Sequence, residues 1–163
     1  MKITVLGAGA WGTAMALALA ARHDVLLWGR NREAIGRMAA ASENRDYLPG
    51  FPLPPQLRLS SDLAEALAHL AAPDALLIVA TSVAGLRPLA SQLKAYPIPN
   101  IVWLCKGFEE ETRLLPHQMV RAVLGEDLPA AALSGPSFAQ EVAQGLPCAL
   151  TVASANADLC ERV

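Results

Sequence analysis

The residues with evident chemistry begin at the seventh position of this 163-residue chain. Gly7-Ala8-Gly9-Ala10-Trp11-Gly12 has the spacing G-x-G-x-x-G, directly after the apolar run Ile3-Thr4-Val5-Leu6 and ahead of a helical segment. Each glycine answers a steric need. Gly7 permits a tight turn, Gly9 lets a pyrophosphate approach bare backbone, and Gly12 lets helix and strand pack closely. The helix N-terminus then offers unpaired N–H groups and a positive dipole end to phosphate oxygens. Dinucleotide binding through Gly7, Gly9, Ala10, Trp11 and Gly12 suits this arrangement, and a purely structural glycine turn is the alternative.

The second strand, Asp24 to Trp28, runs into Gly29-Arg30-Asn31-Arg32. An NAD-specific site usually carries an acidic residue at this point to bond the ribose 2′-OH. Here no carboxylate stands at the strand end, and Glu33 falls in the first turn of the next helix. Guanidiniums at Arg30 and Arg32 suit the dianionic 2′-phosphate of NADP. The expected cofactor is therefore NADP(H), with NAD(H) as the alternative; solvated helix-start arginines are the bland reading.

Two further segments follow strand-like runs, where ligands of doubly wound sheets bind. Cys105-Lys106-Gly107-Phe108-Glu109 follows Ile101 to Leu104, and Lys106 is one of only three lysines against ten arginines. Its ammonium is a compact donor that can hold a substrate oxygen; a surface lysine in a loop is the other reading. Ser134-Gly135-Pro136-Ser137-Phe138-Ala139 lies between a strand and a short helix. There Pro136 suits the first helical position, Gly135 leaves room for a ligand, and Ser137 can offer a hydroxyl.

Positioning these groups requires a regular scaffold. The chain alternates apolar strand-like runs at 3–6, 24–28, 75–80, 101–104, 130–133 and 149–153 with helical segments at 13–22, 32–41, 83–94, 113–124 and 137–144. A Pro-rich loop spans Tyr47 to Pro55, Ser61-Asp62 read as the N-cap of a short helix ending near His69, and Asn156 as the N-cap of a helix begun by the last residues. This rhythm implies an α/β, Rossmann-type doubly wound and mostly parallel sheet, a single domain over residues 1–163.

Composition narrows the partners. With 53% hydrophobic and 17% charged residues the chain can build a full core. Its net charge of −2 and lack of a basic patch argue against nucleic acid. No uninterrupted apolar stretch reaches the 18 or so residues of a membrane span, and the glycines at 7, 9 and 12 break the Ala-rich N-terminal run that otherwise resembles a secretory signal. Cys105, Cys148 and Cys160 form no CxxC pair and no zinc-like spacing with histidine. No metal site is expected, and free thiols in the cytoplasm are. A reactive Cys105 beside Lys106 has no base nearby in sequence to activate it.

Together the stretches G-A-G-A-W-G-T-A at 7–14, L-W-G-R-N at 27–31, N-R-D-Y-L-P-G at 44–50, C-K-G-F-E at 105–109 and S-G-P-S-F-A-Q-E at 134–141 resemble the bacterial NAD(P)-dependent glycerol-3-phosphate dehydrogenases. The resemblance covers essentially the whole chain. It implies hydride transfer between a nicotinamide and the C2 carbon of dihydroxyacetone phosphate or glycerol 3-phosphate, in the service of glycerophospholipid synthesis. By this likeness Ala10, Trp11, Arg30 and Ala139 contact the dinucleotide, Lys106 touches both cofactor and substrate, and Gly135 and Ser137 line the substrate side. Tyr47 lies in a shared segment without an assigned role. The family's general-base lysine sits in a helical C-terminal domain that would lie beyond Val163. The chain is thus expected to be the cofactor half, inactive alone, with a homodimer allowed. Competing expectations are a related hydroxyacid dehydrogenase and a stand-alone dinucleotide-binding or redox-sensing module.

Overall fold

An unbroken run of apolar residues cannot leave one face of a strand in water, so such runs need a helical layer on both sides. The computed structural model, which describes residues Met1–Val163, provides two. Strands β1 (Lys2–Leu6), β2 (Asp24–Trp28), β3 (Arg58–Ser60), β4 (Leu76–Val79), β5 (Ile101–Trp103), β6 (Ala130–Ser134) and β7 (Thr151–Ser154) alternate with helices α1 (Ala10–Ala20), α2 (Arg32–Ala41), α3 (Leu63–Ala68), α4 (Val83–Leu93), α5 (Pro116–Leu124), α6 (Ala139–Ala143) and α7 (Ala157–Arg162). The seven strands form one sheet in the order β3-β2-β1-β4-β5-β6-β7. All neighbours are parallel except β7, which runs antiparallel to β6 at one edge.

Side-chain alternation divides the core in two. Leu6, Leu26, Leu77, Val79, Ile101 and Trp103 face the layer built by α3, α4 and α5. Val5, Leu27, Leu76, Ile78 and Val102 face α1, α2 and α7. The period of two along each strand sends neighbours to opposite layers. Helix α1 is apolar almost all round because it is covered twice, by the sheet and by α6. β1 pairs with β2 on one side and β4 on the other, so the chain reverses direction of travel across the sheet beside β1. That switch point opens the crevice in which ligands of this architecture bind.

Local boundaries depart from the sequence reading where turn chemistry intervenes. β3 is unanticipated: Arg58-Leu59-Ser60 is too short and too polar to signal a strand, and its pairing with β2 creates it. Helix α5 starts at Pro116, not Arg113, because Arg113 takes a left-handed conformation (φ 60°) that no helix accepts. α1 begins at Ala10, three residues earlier than expected, its glycine-containing first turn being helical. Asp62 and Asn156 cap α3 and α7 as expected, through Asp62 to the amides of Ala64 and Glu65 and Asn156 to that of Leu159.

Candidate functional site

The glycine turn is closed behind and open in front. Gly7 adopts φ 123°, and a Cβ there would sit 2.7 Å from the Ala80 carbonyl oxygen. A Cβ on Gly12 would lie 1.8 Å from the Gly7 oxygen, so both positions exclude any side chain. A Cβ on Gly9 would meet nothing within 4 Å. The first intrahelical bond of α1 runs from the Thr13 amide to Gly9 O at 3.0 Å, and the amides of Gly9 to Gly12 make no backbone hydrogen bond. Space at Gly9, free N–H groups and the positive end of an eleven-residue helix fit an approaching phosphate.

Beside this turn, the end of β2 is drawn in tightly. A Cβ on Gly29 would be 2.7 Å from Ile35 Cδ1 and 3.0 Å from Ala8 Cβ. The next residues, Arg30, Asn31 and Arg32, are exposed. Asn31 caps α2 through the Ala34 amide, while Arg30 and Arg32 enter no ion pair. Two uncommitted guanidiniums therefore flank the strand end that sequence spacing singles out.

On the other side of β1, three distant segments meet. Trp11 from the first turn of α1, Lys106 from the loop after β5, and Gly135 and Ser137 from the loop after β6 line one small cavity of about 40 Å³ with Leu104 and Leu150. Lys106 Nζ donates to the Gly135 carbonyl at 3.1 Å. Ser137 Oγ is buried without a hydrogen-bond partner, which is uncommon for a hydroxyl unless a ligand or water completes it. Ala139 opens α6 and packs with Trp11 against the cluster of Ala14, Leu48 and Val142. A broader depression of about 850 Å³ lies beyond Lys106, bordered by His117 and Arg121 of α5 and by Asn156.

The loop that carries Lys106 is anchored at Glu109. Arg87 of α4 holds both carboxylate oxygens, at 2.5 and 2.6 Å, and Thr112 adds its hydroxyl. Arg87 first and Thr112 second hold the carboxyl at about 2, well below the usual range. Cys105 is different: burial pushes its thiol up to about 11, which removes it as a nucleophile near neutral pH.

The profile of NAD-dependent glycerol-3-phosphate dehydrogenase N-termini matches residues 2–160. The chain belongs to that family. It is 66% identical over all 163 residues to a glycerol-3-phosphate dehydrogenase (NAD(P)+) of Herminiimonas arsenicoxydans, covering 49% of that protein. A relative of the same name from Ralstonia nicotianae is 52% identical over 99% of this chain and is likewise covered to 49%. A crystal structure of the glycerol-3-phosphate dehydrogenase of Coxiella burnetii superposes with a TM-score of 0.88 at 35% identity, over 99% of this chain and 50% of that one. The chain thus spans about half the length of the curated relatives it matches.

Within this domain two sequence arguments change. Gly135 does not leave room for a ligand: a Cβ there would lie 2.1 Å from the Ala149 oxygen, so its bareness admits the strand-ward return of the chain. Pro136 is not the first helical residue, because α6 starts at Ala139 with Phe138 at its N-cap. The 134–138 stretch is an extended loop that lays the Gly135 carbonyl and Ser137 hydroxyl beside Lys106. The Arg87–Glu109 pair went unnoticed in sequence, since its partners are 22 residues apart on separate elements.

Proposed function

We propose that this chain is the cofactor-binding half of an NAD(P)-dependent glycerol-3-phosphate dehydrogenase that reduces dihydroxyacetone phosphate to sn-glycerol 3-phosphate for glycerophospholipid synthesis. Gly7, Gly9, Ala10, Trp11 and Gly12 receive the pyrophosphate end of the dinucleotide. Arg30 and Arg32 face the 2′-phosphate of NADP(H), the preferred cofactor, with NAD(H) as a second. Ala139 lines the dinucleotide side. Lys106 reaches both ligands, and Gly135 and Ser137 border the substrate.

When bound, the dinucleotide supplies the hydride that reduces the C2 carbonyl of the substrate to an alcohol. The residues of this chain prepare that transfer. Lys106 Nζ, already oriented by its bond to Gly135 O, offers its remaining protons to a substrate oxygen. Ser137 Oγ, without a partner of its own, is free to add a hydrogen bond. The proton required at the new hydroxyl is assigned to no residue of this chain; by the family resemblance it belongs to a lysine in a helical C-terminal domain. The domain alone should therefore bind dinucleotide without efficient turnover.

The observation that carries this reading is the convergence of Trp11, Lys106, Gly135 and Ser137 on one cavity beside the glycine turn. A stand-alone dinucleotide sensor has no need of the lysine and serine. Exposed Phe108, Phe138, Leu146 and Leu150 supply apolar surface for a further domain or for a second copy in a homodimer. No helix is long and apolar enough to cross a membrane. The cytoplasm is the proposed compartment, on the strength of three unpaired cysteines.

The test is a fluorescence titration of the chain with NADPH and with NADH, repeated for Arg30→Ala. Tighter NADPH binding, at least tenfold weakened by the substitution while NADH changes little, supports the assignment. Equal affinities for the two nucleotides would remove Arg30 as the phosphate reader, and absence of binding to either would sink the dinucleotide site in this chain.

A further inference from the structure

Asn44 follows α2 by three residues and is 1% exposed. Its amide nitrogen donates twice, to Ala8 O at 3.0 Å and to Thr13 Oγ1 at 2.7 Å. Its Oδ1 accepts from the Tyr47 amide at 3.3 Å. The orientation is chemically forced, because the Ala8 carbonyl can only accept. Both amide protons are therefore committed to the two ends of the glycine turn, one to its second residue and one to the first residue beyond its last glycine.

The anchor itself is rigidly held. Glu43 and Pro52 form an antiparallel bridge, Leu53 N donates to Ser42 O at 2.7 Å, and Gly50 N donates to Glu43 Oε1 at 2.7 Å. Leu48, also 1% exposed, packs with Ala14 and Val142 between α1 and α6. Residues 43–53 thus form a closed loop docked on α1, and Asn44 is its polar link to the turn. A trans peptide points its C=O and N–H apart, and there is no cis bond in the chain. Holding the Ala8 carbonyl toward Asn44 therefore fixes the Gly9 N–H in the opposite direction, where it has no backbone partner.

We propose that Asn44 is a positioning residue for dinucleotide binding: it sets the orientation of the Ala8–Gly9 peptide and the first turn of α1 without touching the ligand. The inference rests on the dinucleotide reading above and gives the N-R-D-Y-L-P-G segment a physical role that sequence left open. Preorganised N–H groups bind an anion without first losing conformational freedom. A turn released from Asn44 must be ordered at the moment of binding.

Three variants separate this role from simple loop packing. Asn44→Ala removes all three bonds. Asn44→Asp keeps the shape but loses both donors and sets a carboxylate against the Ala8 carbonyl. Leu48→Ala loosens the same loop while leaving the amide intact. NADPH affinity is read by fluorescence titration, and the mobility of the Gly9 and Ala10 amides by ¹⁵N relaxation of the ligand-free protein. Expected are a rise in Kd of tenfold or more for both Asn44 variants, and a fall of the two amide order parameters from about 0.85 toward 0.6. Leu48→Ala should lower the Tm yet keep Kd within twofold of wild type. Wild-type affinity in Asn44→Asp, unchanged order parameters in the ligand-free variants, or an equal loss in Leu48→Ala overturns the proposal. Should the unaltered chain fail to bind NADPH, the dinucleotide reading falls on that arm, while the ligand-free relaxation data still decide whether Asn44 orders the turn.

Discussion

Gly9 and Gly12 stand three residues apart in one turn, and substitution by alanine should separate binding from folding. At Gly9 the backbone sits at φ −79° and ψ −173°, a conformation open to any L-residue, and a Cβ would meet nothing within 4 Å. Restricting the unfolded chain at such a site stabilises by about 0.4–1 kcal/mol. Alanine at an N-cap is worse than glycine by a similar amount, about 0.5–1 kcal/mol. The two effects offset, so Gly9→Ala should leave stability within about 0.5 kcal/mol of wild type. Its methyl group nevertheless stands where backbone must meet a phosphate. Overpacking of that kind costs about 1–3 kcal/mol, which is roughly a 5- to 150-fold rise in the NADPH Kd. At Gly12 the added Cβ would lie 1.8 Å from Gly7 O and 3.1 Å from Ala80 Cβ, so α1 must retreat from the end of β1 even without ligand. Gly12→Ala should lose about 1–3 kcal/mol of stability, a fall in Tm of roughly 2–12 °C, and affinity with it. Calorimetry and NADPH titration on the two variants read both quantities. An unchanged Kd for Gly9→Ala, or a Tm loss equal to that of Gly12→Ala, would refute the claim that Gly9 is bare for the ligand and Gly12 for the fold.

Two other predictions follow from buried polar groups away from the glycine turn. Asn100 bridges the edge of β4, accepting from Leu77 N at 3.0 Å and donating to Ala75 O at 2.8 Å while 1% exposed. Asn100→Leu strands both backbone groups, and a loss of about 3 kcal/mol, or roughly 6–12 °C in Tm, is expected by calorimetry; a loss below about 1 kcal/mol would contradict the bridge. The acid limb of stability should have two parts. Burial lowers the His69 pKa despite the nearby Asp24, whose Oδ1 lies 3.2 Å from Nε2 without hydrogen-bond alignment. The unfolded chain then binds the extra proton, so stability falls as pH drops below about 6.5, and His69→Gln should flatten that segment of the curve. Glu109, held at about 2 by Arg87 and Thr112, contributes stability above its ordinary value of 4.5 that is lost as pH falls from there toward 2. Denaturant titrations across this range check both segments; a Glu109→Gln curve parallel to wild type below pH 4.5 would exclude the second.

What a single sequence determines about this protein is what short-range physics encodes. The glycine turn, the apolar central strands, the caps at Asp62 and Asn156 and the uncommitted Arg30 all depend on neighbours within a few residues, and they were legible in one dimension. The segments that matter to the site were legible too, because Lys106 and the 134–139 stretch stand just past the ends of recognisable strands. How they meet was not. Trp11, Lys106 and Ser137 reach one cavity only because β1, β4, β5 and β6 lie side by side in that order. The strand order is settled by long-range packing that leaves no periodic trace. The same limit hid β3, which exists only through its pairing with β2, and Asn44, whose partners lie 36 and 31 residues away. It also hid why residue 135 is a glycine, since an absent side chain suits a ligand and a neighbouring carbonyl equally well until the fold brings Ala149 against it. Local conformation follows from local residue types, whereas the identity of a spatial neighbour is decided by how the whole sheet closes its two cores.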